Sequence, residues 1–152
     1  MKERKKFNII RIFIVVLIVA LLAPVEIHAA TGDTSQPLAS YYLNSYNAYI
    51  YPAGNGLVQV WFNARGTDYM DELGALRIQI YESTNNSTWT LKATHTNETN
   101  PEFLSYNDYY HSGHVDYQGV AGRYYKAYVC IWGGENGAGD TRYFWTSVKK
   151  AT

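Results

Sequence analysis

The chain has 152 residues, the length of one ordinary domain, and its 13 Lys and Arg balance its 13 Asp and Glu. With 47% hydrophobic, 16% aromatic and only 17% charged residues it is too apolar for a disordered chain and too neutral for a basic nucleic-acid binder. Cys130 is the single cysteine, which excludes an internal disulfide and with it a disulfide-stapled miniature scaffold.

The neutral total hides two segments. Residues 1–30 hold Lys2, Arg4, Lys5, Lys6 and Arg11 against Glu3 and Glu26; the other 122 residues hold 8 basic and 11 acidic groups, with all 15 Tyr, all 4 Trp and all 12 Gly. Met1–Asn8 is a basic head, Ile9–Ala23 is apolar except for Arg11, and Pro24 leads to the small pair Ala29 and Ala30. Those are the three parts of a secretory signal. Its uninterrupted run Ile12–Ala23 is 12 residues, roughly 18 Å as a helix against the ~30 Å of a bilayer core. Cleavage is therefore expected after Ala29 or Ala30, and a retained signal anchor is the alternative. The expected product is secreted, touching a membrane only during export. Sequons at Asn85, Asn86 and Asn97 bear only on a host that glycosylates secreted asparagines.

Beyond residue 30 the hydrophobic pattern repeats every second residue, between clusters of Gly, Asn, Asp and Ser. Residues 31–40 form a polar lead, expected to be flexible. Tyr41–Tyr51 reads as an edge strand stopped by Pro52 and Gly54-Asn55-Gly56. In Leu57–Ala64, Val58, Val60 and Phe62 share a face; Arg65–Gly74 reads as a loop. Ala75–Glu82 sets Leu76, Ile78 and Ile80 against Arg77, Gln79 and Tyr81. Thr88–His95 and Ser112–Tyr117 follow as strands, with a polar loop over Asn97–Asn107 between them. Arg123–Trp132 alternates Tyr125, Ala127, Val129 and Ile131 with Tyr124, Lys126, Tyr128, Cys130 and Trp132. Gly133–Gly139 reads as a glycine-rich hairpin loop and Asp140–Val148 as the last strand.

About seven strands at this spacing predict an all-β sandwich over residues 41–148, of the immunoglobulin or fibronectin type III kind. Gly122-Arg123-Tyr124-Tyr125 resembles the entry to the sixth strand of such sandwiches. By that likeness Tyr125 is a corner tyrosine, its ring in the core and its hydroxyl bonded back to the backbone.

No nucleophile elbow, phosphate loop, dinucleotide fingerprint or Cys-x-x-Cys is present. Cys130 sits mid-strand, away from the core face, where a packed thiol is expected rather than a nucleophile. His114 and Asp116 project from one strand face and are weak candidates for a shared metal, with His111 at odd spacing. Asp68, Asp71 and Glu72, with Asp140, supply oxygen ligands of the calcium type but match no 12-residue calcium loop. No cofactor is implied.

The aromatic surplus is the stronger signal. Arg123–Trp132 is apolar or aromatic on both faces, and its second face shows Tyr124, Tyr128 and Trp132. Neighbouring strands would add Tyr81, and either Tyr143 and Trp145 or Phe144. Contiguous exposed aromatics mark contact surfaces and suit sugar rings or protein partners. The plain alternative is that the rings lie flat under the Tyr-rich Tyr41–Tyr51 segment.

The strings Met70-Asp71-Glu72-Leu73-Gly74-Ala75, Ile78-Gln79-Ile80-Tyr81-Glu82-Ser83, His111-Ser112-Gly113-His114-Val115-Asp116-Tyr117-Gln118-Gly119 and Gly122-Arg123-Tyr124-Tyr125-Lys126-Ala127-Tyr128-Val129 occur in order. Together with Trp89-Thr90 and Asp140-Thr141-Arg142 they resemble a group of small secreted proteins of Gram-positive, mainly clostridial, bacteria that carry a domain of unknown function. The likeness spans about Tyr41–Val148, implies an exported bacterial single-domain protein, and transfers no catalytic or binding residue. Tyr106–Val115 resembles a stretch of the lactococcin-972-type bacteriocins. The expectation is a non-catalytic extracellular binding module for a cell-surface glycan or protein, centred on Tyr128 and Trp132. A bacteriocin-like or toxin-like protein and a metal-dependent hydrolase are the alternatives.

Overall fold

Strands whose two faces differ in polarity bury the apolar face only by pressing it against another sheet. The computed structural model, which describes residues 40–152, does this with two antiparallel sheets. The predicted signal (1–30) and all but the final residue of the lead (31–40) lie outside the described residues. β1 (Leu43–Gly54), β2 (Leu57–Met70) and β6 (Asp108–Gln118) form a three-stranded sheet in the order β1-β2-β6. β3 (Glu72–Ser83), β4 (Thr90–Thr96), β7 (Tyr124–Glu135) and β8 (Ala138–Trp145) run in the order β4-β3-β7-β8. Two short strands complete that second sheet: β5 (Leu104–Ser105) on β3 and β9 (Lys149–Lys150) on β7. The all-β sandwich expected from the alternation is the observed architecture.

The core is the meeting of the inner faces. Val58, Val60, Phe62 and Ala64 of β2 oppose Ile78 and Ile80 of β3 and Tyr125, Ala127, Val129 and Ile131 of β7, all buried. Each fully buried Val, Ile or Phe contributes roughly 1.5–3 kcal/mol before chain entropy is subtracted.

Four local expectations are corrected. Arg65–Gly74 is not a loop: β2 continues to Met70, irregular past Arg65 but paired again at Met70 with Asp108, and only Asp71 separates it from β3. Leu76 leaves the core face because a bulge between Ala75 and Arg77 inserts it as an unpaired residue; Leu73 and Ala75 are buried instead. The polar stretch 97–107 carries a 3-10 turn, Pro101–Phe103, whose Phe103 is fully buried edge-on to Phe62, with ring centroids 5.5 Å apart. Gly74 permits this: its φ is +147°, and a Cβ there would lie 2.0 Å from the Phe103 carbonyl oxygen. The glycine-rich hairpin is tighter than read. Only Asn136 and Gly137 turn, with φ of 54° and 77°, while Gly133 and Gly134 are buried in β7.

The sandwich also extends past Val148. Thr146 replaces a ladder bond with its side chain, its Oγ1 accepting the Ala127 N–H at 2.9 Å. β9 then pairs with Tyr124 and Tyr125, Ala151 is buried, and the Thr152 carbonyl accepts the Gly56 N–H at 2.8 Å. At the other end Ser40 is fastened, its hydroxyl donating to Asp140 Oδ2 at 2.5 Å.

Tyr125 closes one end of the core. Its ring is fully buried, its hydroxyl accepts the Val120 N–H at 2.8 Å and donates to Glu82 Oε2 at 2.5 Å. Glu82, only 6% exposed, also receives the Arg123 guanidinium at 2.5 Å and the Lys92 ammonium at 3.4 Å. Burial alone would raise the Glu82 pKa, but the Tyr125 hydroxyl, Arg123 and Lys92 outweigh it and hold the carboxyl below its ordinary range. Burial, reinforced by the bond to Glu82, pushes the Tyr125 phenol up to about 12.

Candidate functional site

Alternation on β7 puts Tyr124, Lys126, Tyr128, Cys130 and Trp132 on the outer face of the larger sheet. Register then decides which neighbours join them. β3 places Tyr81 opposite Lys126, and β8 places Trp145 opposite Tyr128 and Tyr143 opposite Cys130. Tyr81, Tyr128 and Trp145 come together: Trp145 lies 5.0 Å from Tyr81, edge-on, and 4.9 Å from Tyr128, centroid to centroid. Tyr143 runs nearly parallel to Tyr128 at 6.0 Å.

Two members escaped sequence reasoning. The Lys126 ammonium lies 4.2 Å from the Trp145 ring centroid and 4.5 Å from that of Trp89, a residue just ahead of β4. The charge is therefore shielded by two indoles, an attraction of order 0.5–2 kcal/mol per ring. Alternation places Lys126 on the outer face, but only the β3–β4 pairing brings Trp89 within reach. Trp145 is 47% exposed and Tyr143 55%, so the cluster presents aromatic surface to solvent. Tyr41–Tyr51, the alternative cover, does not lie over it: among the described residues that segment belongs to the opposite sheet.

Trp132 and Tyr124 lie at opposite ends of β7, each four residues from Tyr128, or about 13 Å at strand rise. Trp132 packs on Gly134 and Gly139, where any Cβ would strike the indole, and its Nε1–H donates to Glu72 at 3.1 Å. Tyr124 is met by the Lys150 ammonium, 5.4 Å from its ring. The cluster therefore centres on Tyr128 and Trp145. Cys130, between Tyr128 and Trp132, is buried beside Tyr143, and burial raises its thiol pKa, which keeps it a thiol.

The outer face of the three-stranded sheet carries a second constellation. His114 stacks on Trp61 with centroids 4.2 Å apart, and Tyr49 lies parallel to Trp61 within 6° at 6.5 Å. The Trp61 indole donates to Gln59 Oε1 at 3.4 Å, and the Gln59 amide donates to Asp116 at 2.9 Å. His114 Nε2 stands 3.8 Å from Asp116 Oδ1, which brings the weak metal pair together. His111 faces the other way, beside Phe62, and donates from Nε2 to the Glu102 carbonyl at 2.9 Å. Of the loop acids, Asp71 accepts the Asn136 N–H, Glu72 accepts Trp132, and Asp140 holds Ser40 and Tyr42. Among the described residues no three His, Cys, Asp or Glu side chains group closely enough to hold a metal ion, and no helix is long and apolar enough to cross a membrane.

No family model and no curated protein matches the chain, so geometry carries the functional reading.

Proposed function

We propose that this is an exported, non-catalytic binding module that grips a cell-surface protein through the aromatic cluster around Tyr128 and Trp145. The carrying observation is a contiguous aromatic group: Tyr81, Tyr128, Tyr143 and Trp145 on three neighbouring strands and Trp89 just ahead of β4, with Tyr143 and Trp145 exposed, the others half-buried, and one cation between two indoles. Rigid aromatic area with few rotatable bonds is what interface hot spots use. Leu91 beside Tyr81, 45% exposed, adds aliphatic surface that favours a protein over a sugar.

The finer class follows as part of the same reading. Strand orders β1-β2-β6 and β4-β3-β7-β8, with a buried tyrosine bonded to the backbone five residues earlier, support the immunoglobulin or fibronectin type III kind. The signal-like first thirty residues support secretion, and the ordered motifs support kinship with the secreted clostridial proteins they resemble.

Binding of fluorescently labelled protein to intact Gram-positive cells tests the proposal. The Tyr128→Ala, Trp145→Ala double variant, checked for folding by circular dichroism, is expected to bind at least about tenfold more weakly. Undiminished binding by a folded double variant refutes it.

A further inference from the structure

The outer face of the three-stranded sheet differs in chemistry from the aromatic cluster. Its central row is Tyr49, Trp61 and His114, paired strand to strand across β1, β2 and β6. The flanking row brings Gln59 and Asp116 alongside, and the row beyond brings Asn63. None of the outward positions in the rows from Gln59 to Arg65 is aliphatic. Asp116 and Arg65 are the only formal charges there, of opposite sign and at opposite ends. They are six residues apart along β2 register, or about 20 Å. Between them the face carries no Asp, Glu, Lys or Arg, and it is aromatic and dense in hydrogen-bonding groups.

The row is also organised beforehand. Trp61 donates to Gln59, Gln59 to Asp116, His114 approaches Asp116, and His114 closes the circuit by stacking on Trp61. Exposed side chains lose rotamer entropy when held this way, and a ligand that meets them already held loses less on binding. The two carboxylate oxygens of Asp116 and the amide of Gln59 offer paired acceptors and donors beside an aromatic surface. That set complements vicinal hydroxyls on a ring with apolar C–H edges. It does not complement a phosphate backbone, which wants cations, or a protein hot spot, which wants a desolvated apolar centre.

We propose that this face is a second binding site and that its ligand is a neutral glycan chain, lying across Tyr49, Trp61 and His114 with its hydroxyls on Gln59, Asp116 and Asn63. The site is independent of the aromatic cluster on the opposite sheet, so either reading can fail alone.

The probes are three soluble neutral oligosaccharides, chitohexaose, cellohexaose and mannohexaose. Each is titrated into the purified protein by calorimetry and by amide and indole NMR. At least one is expected to bind saturably and to shift the Trp61 indole N–H. Trp61→Ala, Gln59→Ala and Asp116→Ala each weaken it by about tenfold or more, while Trp145→Ala leaves it unchanged. Should Trp61→Ala fail to fold, the Gln59 and Asp116 variants decide. The proposal is overturned if none of the three binds up to roughly 10 mM, a bare 2–3 kcal/mol of affinity. It is equally overturned if the Gln59 and Asp116 variants bind like the wild type, or if the shifts map to Trp145.

Discussion

Replacing Tyr125 with Phe removes one oxygen and leaves the ring in the core, so no cavity contributes to the effect. Two hydrogen bonds go with that oxygen: the one donated to the Glu82 carboxylate at 2.5 Å and the one accepted from the Val120 N–H at 2.8 Å. A bond to a charged group is worth about 1.5–3 kcal/mol and a neutral one about 0.5–1.5 kcal/mol, so the variant should lose roughly 2–4 kcal/mol. The phenol adds a separate, alkaline effect, set first by its burial and then by its bond to Glu82. Its rise from 10.0 to about 12 corresponds to roughly 3 kcal/mol of preference for the protonated form in the folded protein. With a urea slope of about 1–3 kcal/mol/M, the midpoint should fall by roughly 1–3 M. Because the folded pKa is raised, this stabilisation is complete below pH 10 and is lost as pH climbs from 10 through about 12. Tyr125→Phe should therefore lose stability near neutral pH and also lose that alkaline limb. A loss under about 0.5 kcal/mol, or an unchanged alkaline limb, would show that the corner is not coupled as described.

Acid should act on other groups: the Glu82 and Asp140 carboxyls are held low, Asp140 first by the Ser40 hydroxyl, so their stabilisation is present above their ordinary values of 4.5 and 3.8 and is lost as pH falls through the folded ones. Urea midpoints measured from pH 6 down to 2 check this, and Arg123→Ala should flatten the slope. Phe103→Ala empties a fully buried site against Phe62 and should cost about 3–5 kcal/mol by the same assay; a cost under 1 kcal/mol would mean the turn does not plug the core. Gly74→Ala forces a Cβ against the Phe103 carbonyl at a φ of +147°, and a loss of about 3 kcal/mol or more is expected, read as a fall in melting temperature. Cys130 should react with a thiol reagent only on unfolding; stoichiometric labelling of the native protein within minutes would contradict its burial beside Tyr143.

The sandwich was legible because two-residue alternation reports directly which side chains a pleated strand buries. Val58, Val60 and Phe62 lie where that rule puts them, as do Tyr125, Ala127, Val129 and Ile131. Leu76 does not, because one inserted residue flips the face of what precedes it and leaves no mark in composition. Phe103 was hidden in a polar stretch, since its burial depends on the space that a distant glycine leaves. Acidic and glycine content made Arg65–Gly74 read as a loop, although β2 runs on to Met70, where it pairs again with Asp108, and β3 begins at Glu72. At the site, Tyr128 and Tyr81 were readable from alternation, whereas Trp89 against Lys126 and Tyr49–Trp61–His114 need strand register, which a single chain does not display. Trp132 looked equivalent to Tyr128 on period alone, and the difference lies in Gly134 and Gly139, which let its indole lie flat.

Hydroxyl-radical footprinting of the purified protein on intact Gram-positive cells puts the binding reading to its most direct test. Protection should fall on Tyr128, Tyr143 and Trp145, relative to protein free in solution, and Tyr106, 66% exposed between β5 and β6 and not part of the cluster, should stay reactive. If bound protein leaves Tyr143 and Trp145 as reactive as free protein does, the aromatic cluster is not the contact surface.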